Sequence, residues 1–160
     1  MAIANAVLDV IEKENLRENA TKVGDYLLNC LDKMKEEYSV IGDIRGAGLF
    51  IGVELVEDRE SKRPASLAAE WAVRRFRQEN IIMSTEGKYD NVLKFKPPMK
   101  FSMQDAKVWL KTFQAILEEY ESFEWEGKPL MSSSSSSCDS LLSDYGTESP
   151  ESPESGDSSS

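Results

Sequence analysis

Residues 40–55, Val-Ile-Gly-Asp-Ile-Arg-Gly-Ala-Gly-Leu-Phe-Ile-Gly-Val-Glu-Leu, constrain what this chain can fold into more than any other stretch. Leu49, Ile51, Val53 and Leu55 alternate with Phe50, Gly52, Glu54 and Val56, the period-two pattern of a strand with one apolar face. Gly46 and Gly48 stand just before it and leave the backbone able to turn tightly or to lie against another element. A strand and no helix follows this Gly-x-Gly, so it describes a bend and not a dinucleotide or phosphate loop.

Around that strand the apolar period is helical. Ile3, Val7, Leu8 and Ile11 recur at helical spacing, and Leu16, Ala20, Val23, Leu27, Leu31, Met34 and Tyr38 continue at steps of three or four. Two helices, or one bent helix, are expected over residues 2–38, broken near 12–17, with Asn15 capping the second. Gly24 inside that helix costs about 1 kcal/mol against alanine, which points to close packing there.

Beyond the strand, residues 57–64 form a polar connection, and 66–80 form a third helix with Leu67, Trp71, Ala72 and Phe76 near one face. Residues 81–83 and 92–96 are expected to be short strands separated by a polar loop over 84–91. Pro97-Pro98 ends the second, because proline supplies no ladder donor. Ser102-Met-Gln-Asp105 reads as a capping box with aspartate in the usual glutamate place. It is followed by an apolar helical stripe of Ala106, Trp109, Leu110, Phe113, Ile116, Leu117 and Tyr120. The order of elements predicts an α/β fold of two layers, a small sheet covered by helices on one side. The aromatic residues are accounted for as core.

Composition narrows the chemistry. The chain has no histidine, which excludes a Ser-His-Asp triad, a histidine-assisted cysteine nucleophile and any histidine metal site. Cys30, in a helical pattern, and Cys138 lie in dissimilar settings with no paired spacing, which argues for reduced thiols in a reducing compartment. No apolar run reaches the roughly 18–20 residues of a membrane span, and the first residues lack the basic flank of a signal peptide.

The last 30 residues are of another kind. Serines fill 132–137, Ser149-Pro150 and Ser152-Pro153 follow, and six acids stand with no base, so this segment buries too little to offset its ordering entropy. Removing those six leaves 23 acids against 19 bases in the rest, so the acidity belongs mainly to the tail. Arg74, Arg75 and Arg77 read as the solvated face of a helix, and no nucleic-acid surface is expected. The expected organisation is a helical lead-in over 1–38, an α/β domain over 39–123 and a disordered acidic tail over 124–160.

Four blocks, taken in order, carry a family resemblance. They are Ala-Val-Leu-Asp9-Val-Ile-Glu-x-Glu-Asn-Leu, Val-Gly24-x-Tyr-Leu, Ile41-Gly-Asp-Ile-Arg45-Gly-x-Gly-Leu-Phe-x-Gly-Val-Glu-Leu and Asn91-Val-Leu-Lys94-Phe-Lys-Pro97-Pro98-Met. Together they resemble the C-terminal end of class III pyridoxal-phosphate aminotransferases, and the resemblance spans residues 2 to 121. Ser84-Thr-Glu-Gly87 and Lys-Phe-Lys-Pro-Pro-Met look most like the alanine-glyoxylate aminotransferase 2-like branch, which includes ethanolamine-phosphate and 5-phosphohydroxy-lysine phospho-lyases.

The resemblance implies the small C-terminal domain of a fold type I enzyme, homodimeric when complete, in the mitochondrial matrix or cytoplasm. It implies pyridoxal 5'-phosphate as cofactor and an amino-phosphate or amino-acid substrate. The Schiff-base lysine, the acid on the pyridine nitrogen and the phosphate cup belong to the family's large domain. Met1 is therefore expected to fall after that domain, and none of the twelve lysines here stands in the Schiff-base context. The chain alone is expected to be non-catalytic.

Two residues are substrate-binding candidates on this basis. Lys94 occupies the place where many family members carry an arginine that forks onto a substrate carboxylate, a contact lysine cannot copy. The replacement suits a point-charge contact to a phosphorylated substrate; the other reading leaves Lys94 and Lys96 on the solvent face of an edge strand. Arg45 either contacts substrate or forms an ion pair with Asp43 or another carboxylate that pins the glycine turn, and Glu54 is expected to be solvated or paired across the sheet. Glu36-Glu37 and Glu118-Glu119 are helical neighbours that diverge and have no acid-base reading. A competing function is a non-catalytic interaction module whose tail accepts phosphate at Ser136, Ser149 or Ser152.

Overall fold

The computed structural model describes residues 2–123, so the expectations for the serine-rich tail, Cys138 included, lie outside the described residues. Helix α1 (Ala2–Lys13) and helix α2 (Leu16–Glu37) meet at Asn15, which adopts a left-handed conformation with φ 49° and makes no side-chain cap. The expected Asn15 cap is thus corrected. Side-chain capping needs extended backbone at that position, whereas Asn15 serves as the left-handed joint that asparagine tolerates.

Helix α2 buries Val23, Leu27, Cys30, Leu31 and Met34 along one side, the stripe its period foretells. Gly24 lies on the same side, and a Cβ there would overlap the carbonyl oxygen of Gly48. The helix therefore rests with its backbone against the turn that follows strand β1 (Ile41–Ala47). That turn is a two-residue hairpin, Gly48 and Leu49, with Gly48 at φ +53°, and it leads into strand β2 (Phe50–Leu55).

Strand β1 was not expected. It is antiparallel to β2, but its register shifts between Ile41 and Asp43, so Ile41 pairs with Leu55 and Ile44 with Val53. Two apolar residues three apart thereby face the same way. This β-bulge erases the period-two signal in the sequence, and β1 accordingly reads there as a bend.

After a polar connection, helix α3 (Ser66–Gln78) buries Ala68, Ala69, Ala72 and Phe76. Leu67 is 68% exposed, contrary to its expected place near that face, because one helical step carries it round from Ala68 to the far side. The strand expected at 81–83 is absent, and Ile82 points into solvent. The ladder is made instead by β3 (Ser84–Glu86), three residues of the expected polar loop, against β4 (Val92–Phe95). In this register Ile82 and Ile81 would need Lys96 and Pro97 as partners, beyond the end of β4 where Pro97-Pro98 closes the ladder.

The sheet order is β1-β2-β4-β3, antiparallel throughout. Helix α4 (Met103–Ser122) starts with the expected capping box: Ser102 Oγ accepts from the Asp105 amide at 3.1 Å, and the Asp105 carboxylate accepts from the Ser102 amide at 3.0 Å. Its stripe buries Ala106, Trp109, Leu110, Phe113, Ile116 and Leu117, with Tyr120 half-buried. Trp109 stacks on Phe76 of α3 and packs tilted against Phe95 of β4, 5.8 and 4.5 Å away between centroids. Helices α2, α3 and α4 and the residues Ile51, Val53, Leu55, Leu93 and Phe95 thus share one core. Among the described residues the other face of the sheet carries no helix; there Phe50 is 57% exposed.

Gly24→Ala should lower stability in urea unfolding by about 2 kcal/mol, although alanine is the better helix former. A neutral or stabilising result contradicts the backbone contact with Gly48. Ser102→Ala should cost about 1 kcal/mol in the same measurement.

Candidate functional site

The helix-free face of the sheet gathers the candidate residues, because the register aligns them. Arg45 on β1 pairs with Gly52 on β2, Gly52 with Lys94 on β4, and Lys94 with Ser84 on β3. The neighbouring row runs Asp43, Glu54, Val92 and Glu86. Residues in one row across a sheet share a face, so Arg45 and Lys94 flank a glycine that raises no side chain between them.

Arg45 is held on its own side of Gly52. One terminal nitrogen, Nη1, donates to Glu54 at 2.7 Å and to Asp43 at 3.0 Å. Lys35 of α2 adds a pair with Asp43 at 3.5 Å. The buried Asn91 amide donates to the Leu55 carbonyl at 2.9 Å and lies 3.5 Å from Glu54. Glu54 is therefore paired across the sheet, and Arg45 makes the ion pair with Asp43 that pins the strand before the turn.

Burial alone would raise the Asp43 carboxyl pKa, but the hydrogen bond from Arg45 and the charge of Lys35 outweigh it and hold the group below its ordinary 3.8. The bonds to Glu54 and Asp43 in turn push the Arg45 guanidinium up.

Lys94 sits differently. Strand β4 lies between β2 and β3 and is not an edge, which corrects the edge-strand reading. Its Nζ stands 2.5 Å from Oε1 of Glu86 on β3. Lys96, two residues on, lies 5.6 Å from the ring centroid of Phe50. Glu86 and Asn91 were not singled out from the sequence, because both fall in the stretch read as a polar loop. The alternation of Ser84 and Glu86 on one side of Thr85 was the available signal.

Of the arginines expected on the solvated face of α3, Arg74 and Arg77 are exposed, whereas Arg75 is half-buried against α4. Arg75 bridges α3 to Glu119 of α4 at 2.6 Å, and Arg74 pairs with Glu70. Glu118 instead accepts from the Tyr38 hydroxyl at 3.3 Å, so the two adjacent carboxylates part as expected. Burial first, then the charge of Glu118, pushes the Tyr38 phenol above its ordinary value.

Among the described residues no group of three acids or cysteines could hold a metal, and no helix is long and apolar enough to cross a membrane. A cavity beneath α3 and α4, lined by Leu55, Ala68, Trp71 and Leu117 among others, encloses about 10 Å³, space for one water at most.

The described residues thus form a four-stranded antiparallel sheet with helices on one face and a charged, open second face. The chain belongs to the class III aminotransferases, whose family model matches residues 1–117. It is 48% identical over 117 residues to an alanine-glyoxylate aminotransferase 2-like protein of Drosophila melanogaster, covering 72% of this chain and 24% of the relative. It is 44% identical over 101 residues to the mitochondrial alanine-glyoxylate aminotransferase 2 homolog 2 of Arabidopsis thaliana, covering 63% and 21%.

Among solved structures, it is similar to a phospholyase from Arthrobacter in complex with phosphoethanolamine, with TM-score 0.68 and 30% identity over 71% of this chain and 27% of that one. The chain thus spans about a quarter of the length of these relatives. The fold is that of the fold type I neighbours, and the family is pyridoxal-phosphate-dependent.

A carboxylate with a depressed folded-state pKa stabilises the fold above its unfolded value, and that contribution is lost as pH falls through the folded value. Arg45→Gln should therefore cost about 0.5–1 kcal/mol at pH 7, the scale of exposed ion pairs. The gap should narrow once the pH falls below about 4. A gap that stays constant through acid pH contradicts the Arg45–Asp43 coupling.

Proposed function

We propose that this chain is the C-terminal small domain, with its lead-in helices, of a pyridoxal-phosphate-dependent class III enzyme. The complete enzyme, on this reading, eliminates phosphate and ammonia from an amino-phosphate such as phosphoethanolamine or phosphohydroxylysine. Lys94 is the observation that carries the reading. It is presented on the open face of the sheet, beside a glycine, and brings a compact ammonium to a place where a carboxylate substrate calls for a planar fork. A phosphate monoester accepts point charges from many directions, so lysine suits it. The likeness to a phospholyase solved with phosphoethanolamine supports the same choice.

Arg45 takes second place in this site. Its two carboxylate bonds leave it as the fixed wall opposite Lys94 rather than the group that moves to substrate.

The described residues do not by themselves fit the cofactor. Every described lysine is exposed or half-exposed, and none lines the cavity beneath α3 and α4. The chemistry of a cofactor-bearing lysine needs a desolvated pocket that lowers its pKa. That lysine is accordingly assigned to the part of the relatives that this chain does not span. The complete enzyme would be a homodimer in the mitochondrial matrix or cytoplasm, a location supported by the mitochondrial name of the Arabidopsis relative.

The test is direct. Purified chain mixed with pyridoxal phosphate should keep no absorption band of lysine-bound cofactor after dialysis. A stoichiometric band that survives dialysis and disappears on substitution of one lysine would overturn the assignment.

A further inference from the structure

We propose that Glu86 determines which anions Lys94 accepts, by acting as a tethered carboxylate that an incoming anion must displace. The inference rests on the reading of Lys94 as a substrate contact. Its own ground is the layout of charge on the open sheet face.

Lys94 has Gly52 on one side in the sheet and Ser84 on the other. Glu86 stands two residues along β3 from Ser84, diagonal to Lys94, and its Oε1 lies 2.5 Å from Nζ. Because β3 is the outer strand, the pair draws the ammonium toward the rim of the sheet and away from the ground above Gly52. On the far side of Gly52, Arg45 is tied to both Asp43 and Glu54. Of the two cations flanking the glycine, Lys94 is therefore the one that a single exchange of partner sets loose.

The pair is half-exposed, with side-chain accessibilities of 34% for Lys94 and 54% for Glu86, so it is weak enough to be exchanged. A second carboxylate offers Lys94 one negative charge, the same as Glu86, and must do so without the advantage of being tethered beside it. A phosphate monoester offers nearly two charges and three acceptor oxygens. Glu86 therefore excludes carboxylates and yields to phosphates. That selectivity separates an amino-phosphate from an amino acid by charge, at a residue on the small domain.

The ¹³Cε signal of Lys94 reports the exchange in the purified chain. It would be followed by NMR during titration with phosphoethanolamine and, separately, with β-alanine, which carries a carboxylate at similar reach from its amine. In the native chain phosphoethanolamine should shift the signal and β-alanine should leave it nearly still. Glu86→Gln should lower the half-saturating phosphoethanolamine concentration about two- to five-fold, the range set by an exposed ion pair, and should make the signal respond to β-alanine.

Glu12→Gln, the same charge change on α1, should leave both titrations as in the native chain. Equal half-saturation in the native and Glu86→Gln chains overturns the role of Glu86 while Lys94 still responds; so does equal tightening by Glu12→Gln. A Lys94 signal that neither probe moves in any of these proteins removes the substrate contact itself, and the inference with it.

Discussion

The contact of α2 with the β1–β2 hairpin, backbone against backbone at Gly24 and Gly48, sets the rest of the structure. No side chain fits between them, so the helix lies close enough for Val23, Leu27 and Leu31 to reach the inner face of the sheet. Helix α4 then fills the remaining inner surface through Trp109 and Phe113, and α3 closes it with a row of alanines. With three helices committed to one side, the second side of the sheet is left to carry polar chemistry. Packing of the helices on the inner face leaves this outer face open among the described residues.

On that second side the charges are arranged unequally. Arg45 is braced by two carboxylates, one of which is also approached by the buried Asn91 amide. Among the described residues Lys94 pairs with Glu86, on the outermost strand. A cation held by two carboxylates and a cation paired with one thus flank Gly52.

Much of this was legible in the sequence, and the misses have physical causes. The stripes of α2 and α4, the capping box at Ser102 and the apolar face of β2 are all local periodic signals, and each is present as expected. Gly24 announced its close contact because a glycine in a helix needs a reason. Strand β1 escaped because a bulge near Gly42 breaks its alternation, and β3 escaped because an edge strand with polar residues on its open face looks like a loop. The Lys94–Glu86 pair could not be foreseen without the ladder that sets Ser84 opposite Lys94. The family resemblance located Lys94 and Arg45; only the register shows that they flank the same glycine.

A chimaera tests the central claim most directly. Residues 2–123 would replace the matching quarter of the Arthrobacter phospholyase, with cofactor loading confirmed by absorbance, and phosphate release from phosphoethanolamine would be measured. The loaded chimaera should release phosphate and lose about tenfold or more of that rate on Lys94→Ala, the scale of a charged hydrogen bond. A loaded chimaera whose phosphate release is unchanged by that substitution would contradict that claim.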